Sequence, residues 1–278
     1  MKNRLIMILD ILSSNRKVEP ALLAEMLDVS MVTLRKDLDF LEKYGIDCRK
    51  RGMLSLDGVD ETYKKLAFFH LVKRRIASAA VQIVGDNETV MIDSGSCCAM
   101  FAEELVLSQK NATIVTNSSF VLNYISRLPD IKVIFLGGYY QPKSKVMIGK
   151  ITTEIARKLN LDKYFLGTDG FISGQGFTGQ DHLCVETAIE LSKYAKNIFM
   201  LTESAKFNRC GTYNLLSLDK FAGVFTDDKI PKEAELEISK NDVKLYKVSS
   251  SKENTRWHLF PGLPTVQINE NDENRIIM

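Results

Sequence analysis

An α/β chain in two parts, a small helical head with a short hairpin and a larger domain of alternating strands and helices, is what three observations predict. Within residues 1–57, leucines recur at helical spacing in three short stretches divided by turn residues. From about Val90, short β-branched runs alternate with amphipathic segments, the pattern of a mostly parallel sheet. Each of those runs is apolar until its last residue, then turns polar or glycine-rich.

The head comes first. Leu5, Ile8, Leu9 and Leu12 mark one helix. Pro20 opens a second, running to Asp28, with Leu23, Met26 and Leu27 on one side. After a tight turn at Val29, Ser30 is a natural N-cap for a third helix, which runs to Gly45 with Leu34, Leu38 and Leu41 as its buried stripe. Val32, Arg35 and Lys36 therefore face outward. Three short helices, the last basic near its start, spell a helix-turn-helix. Ile46–Leu56 then sets Arg49-Lys50-Arg51-Gly52 between two short apolar segments, which reads as a β-hairpin, the wing of a winged helix, with its basic triplet where a wing meets phosphates. The plainer reading is a helical interaction module with a solvated basic loop. Overall charge does not separate the two: residues 1–57 carry ten Lys/Arg and nine Asp/Glu, so any attraction for DNA is local to the third helix and wing.

The 278 residues, 45% hydrophobic, suffice for about two domains, and a net charge of +2 implies neither a nucleic-acid coat nor an acidic-surface binder. Five cysteines (Cys48, Cys97, Cys98, Cys184, Cys210) form no C-x-x-C pair and are odd in number, which argues against structural disulfides and a zinc site and for a reducing cytoplasm. Asp10 interrupts the apolar start of the chain, and no run reaches membrane-spanning length. A soluble cytoplasmic protein is expected, with no cofactor.

The boundaries expected are 1–57 for the head, a polar linker over 58–65, an α/β domain over 66–248 and an irregular tail over 249–278 with Trp257, Pro261 and Pro264. A helix runs to about Val84. Strands follow at 90–93, 112–116, 132–136, 163–167, 197–201 and 223–226, with helices at 97–106, 119–126, 152–159 and 183–195. The strand ends read Asp93-Ser94-Gly95-Ser96, Thr116-Asn117-Ser118, Gly137-Gly138, Thr168-Asp169-Gly170 and Thr202-Glu203-Ser204-Ala205-Lys206. In open α/β sheets ligands bind beyond the carboxyl ends of the strands, so these clusters converge on one crevice. Hydroxyls, glycine amides and helix N-termini suit phosphate, while Asp and Asn suit sugar hydroxyls. Singly, each has a plainer use: Ser94-Gly95-Ser96 and Thr116-Asn117-Ser118 as caps, Gly137-Gly138 and Asp169-Gly170 as turns, Lys206 as a solvated lysine.

Together these residues resemble the deoxyribose-operon repressor (DeoR) family of bacterial transcription regulators, nearly throughout, up to about Ile230. The family's recognition-helix pattern is met by Val29, Ser30, Thr33, Leu34, Arg35, Lys36, Asp37 and Leu38. Its sensor pattern is met by Asp93–Ser96, Thr116–Ser118, Gly137-Gly138, Asp169-Gly170, Gly176-Phe177-Thr178 and Ala205-Lys206-Phe207. The segment Phe165–Gly170 is similar to members governing sugar-alcohol uptake. Met53 stands where the family commonly has a second wing glycine, and Glu203 where it has Asp. The resemblance implies an N-terminal winged helix-turn-helix plus a C-terminal α/β sensor domain related in fold to sugar-phosphate isomerases, with a phosphorylated sugar or polyol as effector.

An α/β domain with carboxylates at its strand ends also admits an enzyme, an isomerase fused to a helical module, with Asp93, Asp169, Glu186 or Glu203 as base. The related isomerases carry a lysine in the glycine-rich stretch after the Asp cluster. Gly170–Gly176 has none, His182 stands alone, and no nucleophile–His pair or nucleotide-binding motif is apparent. A regulator without catalytic residues is therefore expected. Ser30, Thr33, Arg35 and Lys36 contact bases or phosphates, Arg49 and Arg51 the DNA backbone. The effector is held by Asp93, Ser94, Gly95, Ser96, Thr116, Asn117, Ser118, Gly137, Gly138, Asp169, Gly170 and Lys206, with Lys143 and Lys145 as competitors of Lys206. At least a dimer on a repeated operator is expected.

Overall fold

Leu5, Ile8, Leu9 and Leu12 are all buried along helix α1 (Lys2–Ser14) in a computed structural model of the protein, which describes residues 2–250 apart from 16, 44, 45, 58, 60, 61, 63, 64, 67 and 129–131. Those residues divide into two compact units, one within Met1–His70 and the other Leu71–Ser250. Gly45, most of the 58–65 segment and the tail beyond Ser250 lie outside the described residues.

In the first unit, α1 packs with α2 (Pro20–Met26) and α3 (Met31–Lys43) around Leu23, Ala24, Leu27, Leu34, Leu38 and Leu41. Pro20 takes the first helical position, where its missing N–H costs nothing. Met26 departs from expectation. It is 49% exposed, and Ala24 holds the inner place, because 23, 24 and 27 share a face in so short a helix. A polar core residue also went unread: Asp37 is fully buried and takes two bonds from Arg4, at 2.5 and 3.1 Å, which tie α3 to α1. The hairpin forms as β1 (Arg49–Lys50) and β2 (Met53–Leu54), joined through Arg51 and Gly52. Both turn residues have positive φ, 48° and 82°, the twist a two-residue hairpin loop needs. Leu54 also exchanges backbone bonds with Val18, which anchors the wing's base.

The second unit begins with α4 (His70–Val81) and continues as β3 (Thr89–Ile92), α5 (Ser96–Leu107), β4 (Thr113–Thr116), α6 (Ser119–Ile125), β5 (Val133–Phe135), β6 (Tyr139–Gln141), β7 (Val146–Ile148), α7 (Lys150–Ala156) and β8 (Leu161–Leu166). It closes with β9 (Gly170–Ile172), β10 (Gly176–Gly179), α8 (His182–Ser192), β11 (Ala195–Leu201), β12 (Tyr213–Leu216), β13 (Gly223–Asp227), α9 (Lys232–Lys240) and β14 (Lys244–Val248). The main sheet has the order β14-β13-β11-β8-β3-β4-β5, parallel throughout. From β3 the chain builds outward through β4 to β5. It then returns to the other side of β3 with β8 and builds the opposite way. The order reverses between β3 and β8, which is where a crevice opens in such sheets.

The six sheet strands expected from the sequence are present, within a few residues of their expected ends. Unread were the edge strand β14, the helix α9, the hairpin β6–β7 and the antiparallel sheet β12-β10-β9. These strands are only three to five residues long, most of them carry Gly, Lys or Tyr, and the one apolar run among them, β7, is just three residues, too short to mark a strand by itself. Gly170, expected in a loop at a strand end, opens β9 instead.

Candidate functional site

Each unit presents one surface with a concentration of functional groups. In the first unit it is the outer side of α3 with the wing. Ser30 caps α3: its Oγ accepts the Thr33 amide at 3.2 Å and lies 3.0 Å from the Thr33 hydroxyl. Val32, Arg35 and Lys36 are exposed, and Arg51 is exposed at the wing turn. No ion pair engages Arg35, Lys36 or Arg51 among the described residues. Arg49 differs from the expectation of a backbone contact. Its guanidinium is held by Asp39, by Glu42 at 3.3 Å and by the Arg35 carbonyl at 3.4 Å.

In the second unit the groups gather where β3 and β8 part. Gly167 at the end of β8 packs so closely on the β3–α5 turn that a Cβ there would stand 3.1 Å from the Ser94 carbonyl. Gly95 enters α5 at φ 118°, a region that favours glycine, and open space lies where its Cβ would be. No side chain caps α5, so its first-turn amides remain donors at the crevice. By contrast, Ser118 caps α6 at 3.2 Å and Asp181 caps α8 at 3.0 Å.

Charged groups surround this turn. Burial pushes the Asp93 carboxyl up to about 7; the Ser94 amide opposes the rise, Asp169's charge adds to it and the Gly167 amide opposes it. Asp169 accepts the Gln180 amide at 3.0 Å and lies 4.0 Å from the ammonium of Lys206. Lys206 sits in a 3-10 turn (Ser204–Asn208) just after β11, its side chain only 14% exposed. Glu203, which opens that turn, is enclosed with Lys73 of α4 at 3.9 Å, the two side chains 8% and 2% exposed. The Cys97 thiol, in the first turn of α5, donates to Glu203 at 3.6 Å; burial, then the Glu203 charge, pushes it well up, so it stays a thiol. Two ion pairs, Lys73 with Glu203 and Lys206 with Asp169, thus stand beside the uncapped helix start, and both ammonium charges act on the Cys97 thiol in its first turn.

Not every strand-end residue expected to hold a ligand lines this crevice. Thr116 and Ser118 are fully buried. The Thr116 hydroxyl donates to the Ile92 carbonyl at 2.7 Å and accepts the Ser118 amide, so these side chains brace the β3–β4 edge and cap α6. Asn117 donates to the Met147 carbonyl at 2.9 Å, pinning the β6–β7 hairpin, while its Oδ1 is buried without a partner among the described residues. Gly138 makes room for α7, since a Cβ would fall 2.0 Å from the Thr152 hydroxyl. Gly137 meets only ordinary contact with Ile155, and Gly170 lies against the Arg209 backbone. Ser94, Gly95, Ser96, Asp93, Asp169 and Lys206 remain. Lys143 is exposed, while Lys145 occupies the β6–β7 turn, its carbonyl accepting from Ser119. Glu186 and His182 are exposed on α8, the His182 ring edge-on to Tyr213.

Lys73 was the residue the sequence reading missed. A signal existed: Lys73 falls on the same helical stripe as Ile76, Ala77 and Ala80, all buried, and a lysine on an apolar stripe needs an internal partner. No described helix is long and apolar enough to cross a membrane, and no cluster of metal-ligating residues occurs among the described residues.

Comparison with known proteins bears on both surfaces. Residues 4–57 match the DeoR-like helix-turn-helix domain and residues 70–228 the DeoR C-terminal sensor domain. The HTH-type transcriptional regulator IolR of Bacillus subtilis is 28% identical over 76% of this chain and 85% of its own. The glycerol-3-phosphate regulon repressor of Escherichia coli is 26% identical over 81% of this chain and 90% of its own. Among solved structures, ribose 5-phosphate isomerase A from Neisseria gonorrhoeae is similar at 20% identity and a TM-score of 0.36, over 49% of this chain and 52% of its own.

Proposed function

The chain belongs to the DeoR family of DNA-binding transcriptional regulators, and from that premise we propose that it represses a carbohydrate-utilisation operon and is released from its operator by a phosphorylated sugar or polyol. The observation that carries the effector reading is the start of α5. Its amides lack a capping side chain, its glycine leaves the approach open, and two lysines, the enclosed Lys73 and the mostly buried Lys206, each paired with a carboxylate, bring positive charge to its first turn. Helix amides orient a phosphate but supply only partial charge; a lysine supplies the rest. The carboxylates Asp93 and Asp169 then suit the hydroxyls of a polyol. The repressor is read as at least a dimer, since one winged helix alone binds poorly and paired half-sites raise affinity.

A thermal-shift screen against pentose, hexose and polyol phosphates tests this, because a ligand that binds only the folded state raises the melting temperature. A subset is expected to stabilise the wild type without being turned over. Lys206→Ala is expected to weaken that subset by about 1.5–3 kcal/mol, the loss of a charged hydrogen bond, while operator affinity without effector stays as it was. Turnover that vanishes in Asp169→Asn would establish an isomerase instead. A flat screen would remove sugar phosphates as the effector class.

A further inference from the structure

We propose that Arg49 is a positioning residue that locks the wing onto the recognition helix, rather than a contact to the DNA backbone. The inference rests on reading α3 as the helix that meets DNA.

The wing is short. Only two residue pairs join β1 to β2, and so small a hairpin is marginal unless something else holds it. Leu54 fixes one strand through its bonds with Val18 and its burial in the core. The other strand is β1, whose two residues are both exposed. Just before β1, Cys48 is buried and its carbonyl accepts the Ser55 amide at 2.8 Å, which holds the base of the strand. Beyond that base the Arg49 side chain ties β1 to α3, where it is held by the Asp39 carboxylate, by Glu42 and by the Arg35 carbonyl. Positions 35, 39 and 42 follow at four and three residues, so the three acceptors lie along one face. A guanidinium spreads five donors over a planar fork that spans all three acceptors, whereas an ammonium concentrates its three donors at one point. At the other end of β1's approach, the Arg49 amide donates to Asp47 at 3.0 Å, which sets where the strand begins.

Charge leads to the same assignment. Asp39 and Glu42 are 64% and 55% exposed, on the same face as Arg35, which is expected to meet DNA. An Arg49 that left them for a phosphate would make one favourable contact and bare two carboxylates beside a polyanion. Arg49 held in place neutralises part of their charge and keeps Arg51, two residues on at the turn, in a defined position. Arg51 is then the wing residue left to meet the backbone.

The sign of a carboxylate substitution separates the two roles. Removing a negative charge near DNA ordinarily strengthens binding, and if Arg49 were a phosphate contact resting on Asp39, freeing it would strengthen binding further. If Arg49 positions the wing, Asp39→Asn weakens binding although it removes a negative charge. Full-length wild type, Asp39→Asn, Glu42→Gln, Arg49→Met and Arg49→Lys would be titrated against an operator duplex that the wild type selects from a random-sequence pool, across a range of salt. Asp39→Asn and both Arg49 variants are expected to lose about three- to tenfold in operator affinity, with salt slopes equal to the wild type's. Tighter binding by Asp39→Asn, a slope lowered by about one in Arg49→Met, or wild-type affinity throughout would each overturn the proposal. Should Arg49→Met fail to fold, the exposed carboxylate variants decide alone. A wild type that selects no duplex would overturn the DNA reading of α3 along with it.

Discussion

The two working surfaces hold their charges in opposite ways. On α3 and the wing, Arg35, Lys36 and Arg51 stand in water. In the crevice, Lys73 and Glu203 are enclosed and Lys206 nearly so. A solvated cation keeps its hydration until a phosphate arrives, so each contributes little alone, many add up along a polyanion, and all weaken with salt. An enclosed charge has already lost its water and persists only with a partner of opposite sign. On the proposed reading, an anion entering the crevice would compete with Glu203 or Asp169 for a lysine, which would couple its binding to a rearrangement of those pairs. The first arrangement suits a long polymer read by many weak contacts, the second a small molecule read by a few strong ones.

The largest effect is expected where the contrast is sharpest, at Lys73. Lys73→Met leaves Glu203 enclosed with no ammonium at 3.9 Å, and breaking one side of a buried pair costs about 3–5 kcal/mol. Urea denaturation near neutral pH measures it. Lys73→Met combined with Glu203→Gln should recover part of that loss, because the stranded charge is then gone as well. A loss below about 1 kcal/mol in the single variant would place the pair among ordinary surface ion pairs and dissolve the distinction between the two surfaces.

The same contrast explains what was legible in the sequence. The first unit puts its functional side chains outside and its leucines inside, so the spacing of Leu34, Leu38 and Leu41 alone places Arg35 and Lys36 in solvent. The parallel strands could be read too, because a strand buried on both faces is a continuous apolar run and its polar end residue marks the crevice. Chemistry reached from elsewhere in the chain could not be read. Lys73 meets Glu203 across 130 residues, and only the fold brings them together. Thr116 and Ser118 look like ligand groups by type, but backbone groups claim their hydroxyls. Arg49 looked like a wing cation because nothing in its neighbours' spacing says that α3 presents Asp39 and Glu42 to it.

A smaller effect is expected from Asp93, and it follows pH. Burial raises its folded pKa from 3.8 to about 7, so between those values the folded protein keeps a proton that the unfolded chain releases. Its contribution to stability is therefore fully present below about pH 4, falls as pH rises toward about 7, and is level above that. Asp93→Asn cannot titrate. Relative to the wild type it should gain about 2 kcal/mol of stability between about pH 5 and about pH 8, a figure reduced for the side chain's partial exposure. Paired thermal melts at the two pH values give the difference. A constant gap between variant and wild type would mean that Asp93 titrates like a solvated carboxylate and that the crevice is wetter than its packing indicates.

The smallest effect is expected at Arg51, and it tests the exposed half of the comparison. Arg51 stands at the wing turn with φ 48°, exposed and with no ion pair among the described residues. Its loss should change neither the fold nor the core, since its side chain packs in neither. A solvated arginine that meets one phosphate displaces about one counterion, so Arg51→Ala should lower the slope of log affinity against log salt by about one and weaken operator and unrelated duplexes alike. Arg35→Ala should behave differently, losing preference at the base it reads more than general affinity, because a side chain on the outer face of α3 reaches base edges. Salt titrations of both variants on operator and on mixed-sequence DNA separate these outcomes. Equal losses on both duplexes for Arg35→Ala would make it another phosphate contact, and base reading would then fall to Ser30, Thr33 and Lys36. An unchanged slope for Arg51→Ala would take the wing away from the DNA backbone altogether.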